Sequence, residues 1–219
     1  MWWKFLKVTA TFTQKQLEIM ESAVKLFAGK GFDNTSVRDI AKAADVNVAM
    51  ISYYFGSKEK LLEAIFIKYV TTMRGKLEEI VFAHDVTPAE KIDRIIETYI
   101  DTIAANRHFH LLMVREQGVM KNKVMYDGVK SLKLKNTSLI KSAIKAGAKA
   151  GIFKKNVDIT ILALTVFGTI NQAFNTQRFL CEQYRIDPDN EAEFLKVIIP
   201  RLKVHLKAVV RSYLLVADK

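Results

Sequence analysis

Apolar residues recur every three to four positions through most of the chain, and only three prolines and nine glycines in 219 residues interrupt them. One face of an α-helix repeats at that interval, whereas a half-buried strand alternates every second residue. The pattern therefore predicts an all-α chain, long enough for one or two domains with real cores. Leu17, Met20, Ala23, Val24, Leu26 and Phe27 mark a first helix from Gln14 to Lys30. Thr13 is placed to cap its start, and Gly29-Lys30-Gly31 to end it, since glycine accepts a left-handed turn.

Two short helices follow. Thr35 and Ser36 are both capable N-caps, and Asp39 stands where a capping box needs an acid. Val37, Ile40, Ala41 and Ala44 form the first short stripe, and Val48, Met50, Ile51 and Tyr54 form the second. Asp45-Val46-Asn47 separates them. Two helices crossing steeply over three residues need small side chains where the backbones meet, which Ala41 and Ala44 supply, while Val46 and Ile51 plug the wedge. The turn favours glycine; aspartate tolerates the left-handed region better than most residues, at about 1 kcal/mol. Residues 14–60 thus read as a helix-turn-helix, preceded by an arm over 1–13. Ser57 then starts a long helix of about 25 residues, or about 37 Å, able to link this head to residues 61–219.

The runs Thr35-Ser36-Val37-Arg38-Asp39-Ile40-Ala41, Ala44-Asp45-Val46-Asn47 and Tyr53-Tyr54-Phe55-Gly56-Ser57-Lys58-Glu59-Lys60-Leu61 resemble the DNA-binding domain of the tetracycline-repressor (TetR) family. Asp45 departs from the usual glycine, and Ser52 stands where an aromatic is common, leaving Tyr53 to make that phosphate contact. The resemblance implies a sequence-specific DNA-binding regulator, most often a repressor, on double-stranded DNA with a palindromic operator. Thr35 and Ser36 lie at a helix N-terminus suited to a phosphate, and Arg38 can reach a guanine edge. Asn47, Val48, Ala49 and Ser52 belong to the second helix, which enters the major groove, and Tyr53 and Lys58 are placed for backbone phosphates.

Downstream, further helices are expected over about 88–105, 108–118, 121–149, 157–183 and 190–216, the first capped by Thr87 before Pro88. The resemblance implies that the last two form a homodimer bundle. Their stripes are Ile159, Leu162, Val166 and Ile170, and Phe194, Ile198, Leu202 and Leu206; the same stripes would serve an intramolecular core. It also implies a pocket for an unknown small-molecule effector, with Tyr99, Ile103, Phe109, Met113, Gln117, Phe167, Asn171 and Phe174 as candidates against ordinary core. An effector that prefers another dimer geometry would spoil the spacing of the two heads.

Net charge is +11, with an isoelectric point near 9.6. Residues 1–60 carry nine Lys or Arg against six Asp or Glu, so most of the excess lies downstream. Residues 121–155 hold ten lysines and one acid, Asp127. That run is either a second polyanion contact or a solvated helix face. It also keeps open a DNA-binding protein of the same fold without an effector, controlled by a protein partner or structural on the chromosome. No stretch reaches the ~20 apolar residues of a membrane span, and a cytoplasmic protein without membrane partner is expected. A single cysteine, Cys181, offers no internal disulfide. Enzyme signatures are missing from the sequence. Gly56-Ser57-Lys58 lacks the upstream glycine of a phosphate loop, and there is no Gly-x-Ser-x-Gly. His108 and His110 fall on different sides of a helix, a poor metal pair. No cofactor is expected.

Overall fold

The computed structural model describes residues 12–116 and 123–216. Among the described residues ten helices succeed one another: α1 (Gln14–Lys30), α2 (Val37–Ala43), α3 (Val48–Phe55), α4 (Lys58–Phe82), α5 (Pro88–Ala105), α6 (Arg107–Glu116), α7 (Lys123–Lys149), α8 (Ile159–Asn175), α9 (Gln177–Tyr184) and α10 (Glu191–Leu214). Their ends are chemically marked. Thr13 and Gln16 close a capping box on α1, Ser36 and Asp39 close another on α2, and Asn47 caps α3. Thr87 and Glu90 make the same reciprocal bonds at α5. Each such cap is worth about 1 kcal/mol, because it satisfies N–H groups that the first turn leaves unpaired. Gly31, at φ 87°, ends α1 in a conformation closed to most side chains.

The chain divides into two compact units. The first takes the described residues up to Gly75 and those from Asn106 to Asn136. Ile19, Met20 and Phe27 of α1, Ile40 of α2 and Ile51 of α3 form its core. Leu61, Ile65 and Phe66 of α4 and Leu112 of α6 complete it. Burying each large side chain contributes about 1.5–3 kcal/mol. The unit extends past residue 60 through about four further turns of α4, to Gly75, and takes in α6, which packs on α1.

The second unit spans residues 76–105 and 137 onward. Its backbone is the antiparallel pair α5–α10. Ile92, Ile95, Ile96 and Ile100 lie along the α10 stretch that carries Leu202, Leu206 and Val210, all buried, while Phe194 meets Phe174 of α8 edge-on. Beside that seam runs a ladder of ion pairs: Asp101 with Lys203 at 2.7 Å, Glu97 with Lys207 at 2.6 Å, and Asp93 with Arg211. Carboxylates four residues apart on one helix meet cations four apart on the other. Such partly exposed pairs contribute about 0–1 kcal/mol each, so their main effect is to set the register of the two helices. The single helix expected over 157–183 is broken at Thr176, whose hydroxyl donates to the Gln172 carbonyl at 2.8 Å. Behind α7, the chain turns at Gly151 so that Phe153 pairs with Leu215 in an isolated β-bridge. The ring of Phe153 lies where a Cβ on Gly147 would stand, 2.1 Å away, so only glycine fits there.

Candidate nucleic-acid interface

The turn between α2 and α3 is built as its residues demand. Asp45 takes the left-handed conformation, at φ 50°, in the place where glycine is usual. The Val46 N–H donates back to the Ala41 carbonyl at 3.0 Å, and Ile51 is buried under the crossing. The Asn47 side-chain oxygen accepts from the Ala49 N–H at 2.9 Å. Its acceptor is thus committed to the helix start, while its NH2 remains for an outside acceptor. Turning α3 by its own period brings Val48, Ala49, Ser52 and Tyr53 to one outward face, all exposed, with Tyr53 at 84%. Tyr53 leans edge-on against Tyr54 at 5.2 Å, which orients its phenol without covering it. Arg38, on α2, is exposed, and so is Ser36, whose hydroxyl oxygen is shared with the Asp39 N–H at 3.1 Å.

Two expected phosphate ligands have structural duties instead. Thr35 is fully buried, and its hydroxyl donates to the Gly31 carbonyl at 2.8 Å. It closes the α1–α2 connection from within and has no path to a phosphate. The Lys58 ammonium donates to the carbonyls of Phe32 and Thr35, both at 2.9 Å, and lies 4.3 Å from the centre of the Phe32 ring. It pins the start of α4 to the loop before α2, leaving one N–H for anything outside.

The residues expected to form an effector pocket are not brought together within one unit. Phe109 and Met113 pack on the core of the first unit; Phe109 stacks on Tyr69 at 3.9 Å and meets Phe66 edge-on at 5.5 Å. Gln117 lies outside the described residues. In the second unit Tyr99 meets Phe167 edge-on at 4.9 Å, and burial pushes the Tyr99 phenol up to about 12. Ile103 and Asn171 are partly buried, and Phe174 is buried against Phe194. A residue the sequence did not single out is Asn136, buried on α7. Its amide donates to the Val70 carbonyl at 3.4 Å, and its side-chain oxygen has no partner among the described residues. A buried acceptor left open costs about 1–3 kcal/mol.

The two stripes offered for a dimer also turn inward. Leu162, Ile170, Phe194, Ile198, Leu202 and Leu206 are buried within the single chain, while Ile159 and Val166 are half-buried. The buried six pack within the second unit, and Ile159 and Val166 keep part of their surface outward. The outward apolar side chains are their neighbours, Ile161 and Leu164 on α8 and Val204 on α10, the last two exposed by 63% and 68%. Beside them α8, α9 and α10 enclose a groove of about 600 Å3, lined by Gln172, Thr176, Leu180, Tyr184, Arg201 and His205 among others. Arg201 stacks over Tyr184 at 4.9 Å there.

An exposed recognition face on the second helix of a tight helix pair, capped and buttressed by a third helix and joined to a helical domain, defines a helix-turn-helix DNA-binding regulator. Residues 19–65 match the family of bacterial regulatory proteins of the tetR type, and residues 85–175 match the tetracyclin repressor-like C-terminal domain. The chain belongs to the TetR family of transcriptional regulators. Among curated relatives, the probable regulator YttP of Bacillus subtilis is 26% identical over 198 residues, covering 89% of this chain and 93% of that protein. The repressor KstR2 of Rhodococcus jostii is 28% identical over 150 residues, covering 67% and 72%. Among solved structures, KstR2 of Mycobacterium tuberculosis superposes with a TM-score of 0.74 at 15% identity, covering 96% of this chain and all of the other. FadR of B. subtilis, solved with stearoyl-CoA, gives 0.69 at 19% identity, covering 90% and 98%.

Proposed function

We propose that this chain is a repressor that binds a palindromic operator as a homodimer and leaves it when a lipid-derived effector binds. The observation that carries the reading is the bare face of α3. Val48, Ala49, Ser52 and Tyr53 are outward, bear no structural duty, and continue from a cap whose amide NH2 is open. Small side chains let the helix enter a major groove, where Val48 and Ala49 can meet thymine methyls, Asn47 an adenine edge and Arg38 a guanine. Tyr53 is assigned to a backbone phosphate, whereas the Ser36 hydroxyl donates its one hydrogen to Asp39 Oδ2 at 2.8 Å and serves the cap.

A single head contacts too few bases for a specific site, so the reading includes two-fold pairing. The outward side chains Ile161, Leu164 and Val204, with the adjoining groove, are the assigned dimer surface. An effector is supported by the open oxygen of Asn136, an acceptor awaiting a donor beside the helix that carries the head. Its chemistry is suggested by relatives: one solved neighbour holds stearoyl-CoA, and another is named a ketosteroid regulator. We assign a lipid-derived acyl thioester as the effector class. Such a regulator works where the chromosome is, in the cytoplasm.

The test is selection of genomic fragments by the purified protein at near-physiological salt, followed by release with a panel of acyl-CoA thioesters. A shared palindrome released by one chain-length class is the expected result. Enrichment without a motif would overturn sequence reading, and a palindrome released by no thioester would overturn the effector class.

A further inference from the structure

α7 carries a second feature that operator reading does not use. Between residues 128 and 157 there are eight lysines and no Asp or Glu. The helix buries Leu139, Ala143 and Ile144 on one side and sets Gly147 against Phe153. The opposite side exposes Lys141, Lys145 and Lys149 at successive four-residue steps, and Lys155 follows, also exposed. None of these four makes an ion pair with a described residue. Like charges four apart weaken a helix; Lys149 is favoured by the helix C-terminus, but Lys141 and Lys145 lie too far back for that. The same unit shows how it treats cations that serve its own fold: Lys203, Lys207 and Arg211 each face a carboxylate.

We propose that Lys141, Lys145 and Lys149, continued by Lys155, form a second, sequence-independent contact for the phosphate backbone of duplex DNA, distinct from the operator-reading face of α3. Three lysines on one ridge span about 12 Å, enough for three or four phosphates of one strand at about 3.4 Å each. The side chains between them on the exposed surface are Ser138, Ser142, Ala146 and Ala150. These let a backbone approach closely and offer no hydrogen-bonding code for bases. Beside the lysines these small side chains offer little apolar surface for entering a headgroup layer; Leu134, exposed, lies two turns before Lys141.

Binding of the full-length protein to a mixed-sequence duplex of several helical turns, followed by fluorescence anisotropy between 50 and 200 mM salt, tests this directly. The duplex carries no operator, so the result stands whether or not operator reading is correct. Each lost phosphate contact flattens the log–log salt slope by about 0.9, so K141Q/K145Q/K149Q is expected to flatten it by about 2.7. The affinity advantage of the unaltered protein then shrinks about 40-fold across that range. The corresponding triple arginine variant keeps the slope, and K145Q alone loses about 0.9 should the triple variant fail to fold. Identical slopes for the unaltered and glutamine proteins would overturn the proposal. So would lysine-dependent binding to phosphatidylglycerol vesicles with DNA slopes unchanged, which would assign the ridge to a membrane surface.

Discussion

The two units spend their side chains in opposite ways. In the head, polar groups near the DNA-facing end mostly serve the backbone: Thr35 and Lys58 hold carbonyls, Ser36 and Asn47 cap helices. Order there comes from many short hydrogen bonds over a small apolar core, and the functional face is what remains uncommitted. In the second unit, order comes from one long apolar seam between α5 and α10 with its ion-pair ladder, and what remains uncommitted is an apolar patch, Ile161, Leu164 and Val204, and the lysine ridge of α7. In both, function is assigned mainly to side chains the fold leaves free, with Asn47 serving as cap and offering its NH2 outward. Residue type alone does not identify them. Arg38 and Lys58 are both cations of the head, and Ile161 and Leu162 are adjacent aliphatics, yet in each pair one faces out and one is held by the fold.

The largest expected effect falls on Lys58. Lys58→Met removes two charged hydrogen bonds and leaves the Phe32 and Thr35 carbonyls short of a donor. Charged hydrogen bonds contribute about 1.5–3 kcal/mol each, discounted here for partial exposure, so a loss of about 2–4 kcal/mol is expected in denaturant unfolding of the DNA-free protein. If the variant instead kept its stability and lost affinity equally for all sequences, Lys58 would be a phosphate ligand and the contrast with Arg38 would collapse.

The counterpart in the second unit is Gly147→Ala. Its Cβ would meet the Phe153 ring at 2.1 Å, and overpacking of this kind costs about 1–3 kcal/mol. Unfolding midpoints should fall, and Phe153→Leu in the same chain should recover part of the loss by removing the ring. Unchanged stability would mean that the 151–155 turn moves freely from α7, and the second unit would be less tightly determined than the head. Arg38→Ala separates the roles from the other side. Stability should stay within about 0.5 kcal/mol, as for an uncommitted surface residue. Affinity for the preferred operator should fall by about 1–3 kcal/mol and one base position should relax. A variant that discriminated all site variants as before would remove Arg38 from base reading.

Much of this was legible in the sequence because it is local. Helix ends follow from caps two to four residues away, and the left-handed turn follows from Asp45 between two short apolar stripes. The outward face of α3 follows from the helical period once Ile51 is placed inside. What was not legible depends on distant partners. Lys58 finds its carbonyls 23 and 26 residues earlier in the chain, and no local pattern signals that. The stripe on α8 could not be divided into an inner and an outer face because that helix is apolar nearly all round: Ile159, Ile161, Leu162, Leu164, Val166 and Phe167 offer two overlapping faces. Only the packing of α5 and α10 decides which is inside. Ten-residue α6 carries no mark in its own sequence of which unit it joins, so the packing of Phe109 and Met113 on the head's core was not legible. The break at Thr176 has neither proline nor glycine to announce it.

The smallest expected effect tests whether the two units share a device despite their contrast. Each contains a capping box with an acid at its third position, Ser36–Asp39 in the head and Thr87–Glu90 in the second unit. Backbone N–H donation from the cap residue, then the cap hydroxyl, holds both carboxyls below the ordinary carboxylate range. A carboxyl with a lowered folded-state value binds protons more weakly than in the unfolded chain. Its contribution is therefore present above the ordinary carboxylate range and fades as pH falls through the folded-state value. Stability should decline on acidification below about pH 4, and Asp39→Asn or Glu90→Gln should each flatten that decline and lower neutral-pH stability by the same small amount, because the neutral amide resembles the protonated carboxyl. The head variant and the second-unit variant should flatten it to a similar extent, because both carboxyls are solvent-exposed and bonded to the same two kinds of donor. If only Asp39→Asn altered the acid limb, the head alone would set acid sensitivity, and the short-bond strategy of the head would extend to its response to pH.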